Sequence, residues 1–256
     1  MIALVTGASS GIGRDIAREL AKRKYNIIAV ARNEDALKEL KNELEKEYEV
    51  NVDVRAMDLI DRDGCRKLHD DVKSQYGIID VLVNDAGFGT CGKFTETDLD
   101  KELGMIDTNV VALHILTKLF LIDMVEADKG HILNVASIAG FMPGPLMATY
   151  YSTKSYVVRL TQSIRQELFM QGSHVKISAL CPGPVKTNFN KVADAKFNLM
   201  EADSKFVAKY AVKLMFLNRT LIFPSFFIWM GRLLAKIFPD QISAFVCYFA
   251  QRRKIS

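Results

Sequence analysis

A glycine-rich turn between an apolar strand and a helix constrains the fold of this chain more than any other feature. The turn reads Thr6-Gly-Ala-Ser-Ser-Gly-Ile-Gly13, after the apolar run 2–6 and before a predicted helix over 12–24. Its glycines permit a tight turn, the close approach of a pyrophosphate, and close packing of the helix on the strand. The N–H groups and positive end of that helix favour an anion. A glycine-rich turn can simply be a turn, but this strand–turn–helix context predicts a dinucleotide site, formed by Gly7, Ser9, Ser10, Gly11, Ile12 and Gly13.

Strands and helices alternate along most of the chain, which indicates βαβ units and a parallel sheet. Right-handed crossovers then predict a Rossmann-type doubly wound α/β fold with three layers, α/β/α. No repeat, low-complexity tract or linker interrupts the pattern, so we expect one domain over residues 1–256. The predicted strands are 2–6, 26–31, 50–57, 80–84, 131–136, 175–180 and 220–223. The predicted helices are 12–24, 34–48, 61–76, 99–126, one through Tyr150, and one capped by Asp203 or Ser204.

The residue at the end of the second strand predicts which dinucleotide binds. A carboxylate there would hold the ribose 2′-hydroxyl of NAD, whereas an arginine accommodates the 2′-phosphate of NADP. This chain has Arg32, whose planar guanidinium suits a phosphate. Ser9, Ser10 and Asn33 could add hydrogen bonds. The sequence therefore predicts NADP(H); the alternatives are a surface arginine without a ligand, and some use of NAD because Glu34 follows closely.

Tyr150 and Lys154 are the candidates for acid–base chemistry. Residues four apart on a helix lie one turn above each other on the same face. An ammonium about 4 Å from a phenol would favour the phenolate by about 4 kcal/mol at an effective dielectric constant of about 20. It could lower the pKa of the tyrosine from about 10 to roughly 7, where the hydroxyl exchanges a proton at neutral pH. Tyr151 is the alternative, but it faces about 100° away from Lys154.

Composition excludes several other classes of protein. The formal net charge of +4 is not concentrated in a tract of the kind that binds nucleic acid. The four histidines show no metal-ligand spacing, so no metal is expected. No signal peptide precedes the first strand, and no apolar run reaches the roughly 20 residues of a membrane span. Widely spaced cysteines suggest reduced thiols and a cytoplasmic setting: Cys65, Cys91, Cys181 and Cys247.

Taken together, the motifs of this chain resemble the short-chain dehydrogenase/reductase family, in its subfamily of oxidoreductases of about 250 residues. The resemblance runs in order and spacing from the first strand to residue 187. It rests on Thr6-Gly-x-x-x-Gly-x-Gly13, Asp58, Asn84-x-Ala-Gly87, Asn109, Ser137, Tyr150-x-x-x-Lys154 and Pro182-Gly-Pro-Val-x-Thr187.

The resemblance implies a role for each catalytic candidate. Tyr150 would be the general acid for reduction and the general base for oxidation. Ser137 would hydrogen-bond the substrate oxygen and stabilise its developing charge. Lys154 would hold the ribose hydroxyls and lower the pKa of the tyrosine. Asn109 would hold a water that links Lys154 to solvent.

The resemblance also implies the remaining cofactor contacts. Asp58 would contact the adenine, with Leu59 beside it. The turn after the fourth strand would line the cofactor, and the loop after the sixth would cover the nicotinamide. The residues concerned are Asn84, Ala86 and Gly87 in the turn, and Pro182, Gly183, Val185 and Thr187 in the loop. The family also favours homodimers, formed by the long helices near Asn109 and Tyr150.

Two features depart from the family pattern. The usual Asn-Asn-Ala-Gly turn has Asp85 in place of the second asparagine; an ionised acid cannot donate a hydrogen bond, so the local network must differ. The common Val-x-Gly-Gly ending is absent, and an apolar helical extension over 225–256 replaces it. Three interpretations of the extension stay open: a cap on the substrate pocket, a homodimer contact, or a peripheral membrane contact through Trp229 and the basic residues.

These features favour an NADP(H)-dependent oxidoreductase that interconverts a ketone or aldehyde and an alcohol on a hydrophobic small molecule. Side chains in loops after strand ends could line its pocket, although each could equally be core: Phe88, Phe141, Met147 and Phe189. Similar apolar tails in relatives that act on lipids and steroids suggest that the substrate is a hydrophobic carbonyl compound. The alternatives are an NADP(H)-binding regulatory or partner-docking protein, and nucleotide-sugar epimerase or dehydratase chemistry, which the short chain and the glycine spacing disfavour.

Overall fold

A parallel sheet lies at the centre of the computed structural model, which describes residues 1–187 and 201–255. Within those residues seven strands pair in the order β3-β2-β1-β4-β5-β6-β7, every pair parallel. The predicted strands are all present and differ from expectation by no more than two residues at either end. They are β1 (Ile2–Thr6), β2 (Asn26–Ala31), β3 (Val52–Ala56), β4 (Val81–Asn84), β5 (His131–Val135), β6 (Lys176–Leu180) and β7 (Leu221–Ile222).

Helices cover both faces of the sheet and confirm the predicted three layers. The leucines of α2 and apolar residues of α1 and α7 form the core on one face, whereas α3, α5 and the end of α6 form it on the other. The helices are α1 (Gly11–Ala21), α2 (Glu34–Tyr48), α3 (Arg62–Tyr76), α4 (Leu99–Ile106), α5 (Leu113–Glu126), α6 (Ala148–Met170), α7 (Ser204–Phe216), α8 (Phe226–Ile237) and α9 (Asp240–Ile255). As predicted, Asp203 caps α7, accepting the Lys205 N–H at 3.3 Å.

The helix predicted over 99–126 contains a distortion that the sequence did not reveal. Six residues, Asp107–Ala112, form a π-helical segment between α4 and α5. Among the described residues this composite helix, Leu99–Glu126, is the one long and apolar enough to cross a membrane by length and composition. It packs against α3 and β4, and 39% of its most apolar window is buried. Inner helices of α/β folds pass the same test of composition.

The topology places two loops at one point. The chain leaves β1 towards β2 on one side, and β4 lies on the other side of β1. The crossovers therefore diverge, and a crevice opens beyond the carboxyl ends of β1 and β4, where open α/β sheets bind ligands. The glycine-rich turn follows β1, and residues 85–87 follow β4.

A buried polar network fixes the strands beneath that crevice. Asn84 donates to Thr117 Oγ1 at 3.0 Å and to Asn134 Oδ1 at 2.9 Å. Asn134, which is fully buried, donates in turn to Thr161 Oγ1 at 3.1 Å. The network joins the ends of β4 and β5 to α5 and α6, so the helix that carries Tyr150 is held at a fixed height above the sheet.

The network leads to a prediction about stability. Asn134→Ala leaves the amide of Asn84 and the hydroxyl of Thr161 short of a buried partner, so we expect a loss of about 2–3 kcal/mol in the free energy of unfolding. Urea denaturation measures it, and Asn51→Ala, at an exposed position, is the control. A loss no larger than that of the control would contradict the structural role of the network.

Candidate active site

The glycine-rich turn folds tightly against the end of β4. Gly7 and Gly11 have φ angles of +70° and +57°, which favour glycine. A Cβ at Gly7 would lie 2.9 Å from the backbone nitrogen of Ala86, and one at Gly13 would lie 2.6 Å from the carbonyl oxygen of Gly7. A side chain at either position would therefore displace the backbone. The close-packed turn is the shape that a bound pyrophosphate requires, so these residues fit a dinucleotide.

The amino-terminal end of α1 is suited to an anion. Ser10 is its N-cap residue, and in the described part of the chain its side chain makes no capping hydrogen bond. Residues 11–14 include no acid. The methyl group of Thr187 lies against Gly11, where an added Cβ would come within 2.9 Å of it. The loop predicted to cover the nicotinamide thus meets the turn predicted to hold the phosphates.

Arg32 stands at the predicted adenosine end of the crevice. Its side chain is 68% exposed, and its guanidinium lies 3.7 Å from the carboxylate of Asp58, while Leu59 is buried beneath. The side chain of Asn33 caps α2 by accepting the Ala36 N–H at 3.0 Å. That capping role was not part of the sequence-based expectation, which gave Asn33 to the cofactor. Arg32 is left as the cation at this end of the crevice, with Asp58 beside it.

Tyr150 and Ser137 meet at the carboxyl end of β5. Tyr150 lies half-buried in the first turn of α6, and its hydroxyl is hydrogen-bonded to Ser137. Ser137 begins the short 3-10 helix Ile138–Phe141, and its Oγ accepts the Ala139 N–H at 3.1 Å. This helix cap fixes the serine hydroxyl beside the phenol. The sequence placed the two residues in one site, and the structure brings them into contact.

Lys154 lies one turn below Tyr150 and is buried. Its Nζ donates to the carbonyl of Val135 at 2.8 Å and lies 5.9 Å from the centroid of the Tyr150 ring. The expected direction of the tyrosine pKa is reversed: burial raises the pKa of Tyr150 to about 12 and lowers that of Lys154 to about 8. Leaving water disfavours both charged forms, and here that effect exceeds the hydrogen bond from Ser137.

Asp85, the departure from the family turn, acts on both groups. Its carboxylate accepts the Gly13 N–H, so the turn after β4 is bonded to the glycine-rich turn after β1. Burial raises the pKa of Asp85 to about 7, opposed by the positive charge of Lys154. Its own charge raises the pKa of Tyr150 and of Lys154. The sequence predicted an altered network here, and the structure supplies its acceptor role.

Asn109 occupies the π-helical segment and is hydrogen-bonded to protein groups through both its amide oxygen and its amide nitrogen. Its Oδ1 accepts the Phe88 N–H at 3.0 Å, and its Nδ2 donates to the Phe88 carbonyl at 2.9 Å and to Thr153 Oγ1 at 3.1 Å. Thr153 donates to the Tyr150 carbonyl at 2.7 Å. Both Nδ2 protons are thus donated to protein groups, so a water at this side chain would have to donate to the second lone pair of Oδ1. Thr153 was missed; its only signal was its position three residues after Tyr150.

Some residues of the turn after β4 contact the core of the fold, and others face the crevice. The Asn84 side chain donates into the core network, so a cofactor contact from this residue, which stays a prediction, would come from its main chain. The N–H of Ala86 donates to Thr6 Oγ1 at 3.1 Å. Gly87 is exposed, and a Cβ there would lie 2.7 Å from Asn109 Oδ1. Gly87 is thus the residue of this turn that presents bare backbone to the crevice.

The loop after β6 closes the site from the other side. The carbonyl of Pro182 accepts a backbone N–H from the 3-10 helix at 2.9 Å. Gly183 lies beneath Ile228 of α8, where an added Cβ would approach to 3.0 Å. Val185 is buried and forms a parallel bridge with Ala202. These contacts hold the loop in place over the carboxyl ends of the strands.

The substrate end of the site is the part of the crevice beyond Tyr150, and the apolar side chains near it differ in how accessible they are. Phe141 and Phe223 have ring centroids 5.7 Å apart, and Phe88 is half-buried beside Gly87. Met147 is 3% exposed, so it is a core residue rather than an accessible wall. Phe189 lies outside the described residues. In the described part of the chain no group of three His, Cys, Asp or Glu side chains could hold a metal ion.

Known proteins are similar to this chain in sequence and in fold. The sequence model of the family described as short chain dehydrogenase matches residues 1–197. An NADP-dependent 3-hydroxy acid dehydrogenase of Schizosaccharomyces pombe is 36% identical over 192 residues, 74% of this chain and 73% of the relative. A short-chain dehydrogenase from Sphingobium yanoikuyae, solved with NADPH, superposes with a TM-score of 0.83 at 26% identity, over 92% and 93% of the two chains.

A third similarity is to a bulky-bulky ketone specific alcohol dehydrogenase from Comamonas testosteroni, with a TM-score of 0.79 and 27% identity over 92% of each chain. The chain belongs to the short-chain dehydrogenase family. It is an oxidoreductase of that family, and its cofactor is a nicotinamide dinucleotide.

The position of Asp85 leads to a prediction about pH dependence. Asp85→Asn keeps an acceptor for the Gly13 N–H but removes the charge that raises the pKa of Tyr150 and of Lys154. Both pKa values then fall, so the rise in alcohol oxidation with pH should move to lower pH by roughly one unit. The pH profile of kcat/KM measures it, with Asp63→Asn, at a fully exposed carboxylate, as control. A shift to higher pH, or none, contradicts the assigned effect.

Proposed function

We propose that this protein uses NADP(H) to interconvert a ketone or aldehyde and an alcohol on a hydrophobic small molecule, with Tyr150 as the general acid and base. One observation carries the proposal. The Tyr150 hydroxyl is hydrogen-bonded to Ser137, one helical turn above buried Lys154, at the edge of the sheet where the glycine-rich turn lies. A non-catalytic nucleotide-binding protein would not need this assembled set.

The protein's own residues would bind and orient the substrate and protonate its carbonyl oxygen. The bound nicotinamide supplies the hydride. Ser137 would donate to the carbonyl oxygen and hold it against Tyr150, which would pass its proton to that oxygen. Because burial raises the pKa of Tyr150 to about 12, the phenol carries its proton at neutral pH. In that protonated form Tyr150 could donate a proton to a carbonyl oxygen.

Lys154 would bind the cofactor rather than make the tyrosine more acidic. Its ammonium is buried beneath the tyrosine and already donates one hydrogen bond to Val135, which leaves two N–H donors for ribose hydroxyls. The charge of Asp85 keeps this lysine protonated by raising its pKa. The lysine would thereby position the nicotinamide ribose beside the tyrosine, which is a matter of orientation more than of acidity.

The choice of NADP over NAD rests on Arg32. An exposed guanidinium at the end of β2 can take a 2′-phosphate as a bidentate partner. In the absence of phosphate it pairs with Asp58 at 3.7 Å, a distance that allows exchange of partners. The NADP dependence of the fission yeast relative and the NADPH bound to the Sphingobium protein support this choice.

A hydrophobic substrate is supported by what lies beyond the tyrosine. The rings of Phe141 and Phe223 lie 5.7 Å apart at the substrate end, tilted by 47°, and Ile228 of α8 covers Gly183. Walls of this kind favour an apolar ligand held by few polar groups. The ketone specificity of the Comamonas protein agrees with a bulky carbonyl compound.

A homodimer through α4, α5 and α6 belongs to the same proposal. The side chains of His114 on α5 and Tyr156 on α6 are hydrogen-bonded at 2.6 Å, so these two helices lie side by side. The exposed apolar residues of the three helices include Leu103, Ile106, Ile122, Val125 and Tyr156, with Leu99 at the start of α4 and Phe169 and Met170 at the end of α6.

Removal of the phenol tests the reaction. Tyr150→Phe should lower kcat by at least about 100-fold because the proton donor is lost, while NADPH affinity changes little. Turnover is followed as NADPH oxidation with ketosteroids, long-chain ketones and aldehydes, and affinity by fluorescence titration. Tyr151→Phe is the matched control, since its hydroxyl contacts Gln251 of α9 rather than Ser137. Activity retained by Tyr150→Phe and lost by Tyr151→Phe would overturn the assignment.

Substitution of Arg32 tests the cofactor. Arg32→Asp replaces the phosphate partner by a carboxylate suited to a ribose 2′-hydroxyl, so the preference for NADPH over NADH should fall on the order of ten- to a hundredfold. The ratio of kcat/KM values for the two cofactors measures it. Arg66→Asp is the control, because that exposed arginine also has a carboxylate at 3.7 Å but lies on α3. An unchanged ratio would refute the role of Arg32.

A further inference from the structure

Helices α8 and α9 expose large apolar side chains to solvent. Phe227 is 84% exposed, Ile237 67% and Phe245 66%, and Phe226 and Val246 exceed 60%. On α9 the positions 242, 245, 246 and 249 recur at helical spacing, and all four are exposed apolar residues. Monomeric proteins rarely leave contiguous apolar surface of this size uncovered, and such surface marks an interaction site.

The opposite faces of the two helices are packed on the substrate end of the fold. Ile228 lies over Gly183 of the loop after β6, and the Arg232 guanidinium lies 5.5 Å from the ring centroids of both Phe141 and Phe223. Gln251 of α9 is 4% exposed and donates to the hydroxyl of Tyr151. Because these inner faces are anchored around the catalytic helix, the exposed apolar faces point outwards from the substrate end of the sheet.

Charge separates this segment from the rest of the chain. Residues 224–256 contain five basic residues and one acidic residue, an excess of four, which equals the formal net charge of the whole chain, +4. The other 223 residues therefore carry equal numbers of acidic and basic groups. The segment that carries the exposed apolar side chains of α8 and α9 therefore also carries the whole positive excess of the sequence.

The lengths of α8 and α9 indicate whether these helices could cross a bilayer or would lie on its surface. Helix α8 has 12 residues and α9 has 16, about 18 Å and about 24 Å long, and Pro239 separates them. Both are shorter than the hydrocarbon core of about 30 Å. Short helices with exposed aromatic side chains and basic residues suit the plane of the headgroups, where Trp229 and Tyr248, 40% and 38% exposed, could place their polar atoms.

We propose that α8 and α9 form a docking surface for an anionic lipid bilayer, with the substrate end of the fold facing the membrane. A second copy of the chain fits this surface less well. A two-fold interface would place the same patch on both sides and bring two segments of equal positive charge together. An anionic lipid surface is complementary to that charge, and the acyl boundary takes the apolar side chains.

Vesicle co-sedimentation of the full-length protein tests the proposal. Vesicles of phosphatidylcholine and phosphatidylglycerol should pellet the protein, whereas vesicles of phosphatidylcholine alone should bind it at least about tenfold less, because the charge attraction is missing. Raising the salt concentration to roughly 0.5 M should weaken binding to the anionic vesicles. Failure to bind anionic vesicles at low salt overturns the proposal.

A pair of double variants separates the docking surface from apolar exposure in general. Phe227→Ser with Phe245→Ser should lower the partition coefficient on anionic vesicles by at least about tenfold, since each ring would otherwise be buried in lipid. Phe169→Ser with Met170→Ser is the matched control: these residues, 71% and 74% exposed, lie at the carboxyl end of α6, away from the substrate end. The control should bind like the unmodified protein.

Two measurements keep the result interpretable. Circular dichroism melts establish that both double variants are folded; if the Phe227/Phe245 pair melts early, Phe227→Ser alone takes its place. Light scattering after size exclusion, without lipid, measures the oligomeric state of each variant. Equal vesicle binding by both double variants overturns the proposal, as does a loss of oligomers confined to the Phe227/Phe245 pair, because the surface would then belong to a second copy.

Discussion

A buried ammonium group beneath Tyr150 is the constraint on which the site depends. Removing the charge of Lys154 from water costs several kcal/mol, so the arrangement needs compensating partners. The carbonyl of Val135 supplies one at 2.8 Å, and the carboxylate of Asp85 supplies the opposite charge. These partners come from the ends of β5 and β4, so a single side chain of α6 joins two strand ends to the helix. Burial lowers the pKa of the lysine and raises that of the aspartate, and the attraction between their charges opposes both shifts.

Because the sheet is parallel, loops that are distant in sequence meet at this site. Every strand ends at the same edge, and there the glycine-rich turn, the turn after β4 and the loop after β6 meet. Asp85 bonds Gly13 across that edge, and Thr187 lies against Gly11. Much of this was predictable. Apolar runs located the strands, glycine spacing located the turn, and the four-residue spacing placed Tyr150 over Lys154.

What the sequence could not predict depends on burial. Spacing alone suggested that Lys154 lowers the pKa of Tyr150, but the loss of solvent around both groups reverses the direction. The amino-acid composition around Asn109 did not indicate the π-helical distortion. Within that segment the Asn109 side chain is hydrogen-bonded to Phe88 and Thr153, which are distant in sequence. Asn33 was assigned to the cofactor because of its position, yet a local helix cap competes for its oxygen. In each case a tertiary or local contact overrides the pattern.

The last strand of the sheet, β7, has a consequence for how the protein behaves at high concentration. An open edge strand offers unpaired N–H and C=O groups to another chain, which is a route to aggregation. Here β7 is two residues long, Leu221–Ile222, and Pro224, which has no N–H to donate, lies two residues beyond its end. At the other end of the described sheet, β3 carries the ion pair of Arg55 with Asp53 at 2.7 Å. The short strand and proline on one side, and the charged side chains on the other, are features that disfavour pairing of either edge strand with a neighbouring molecule.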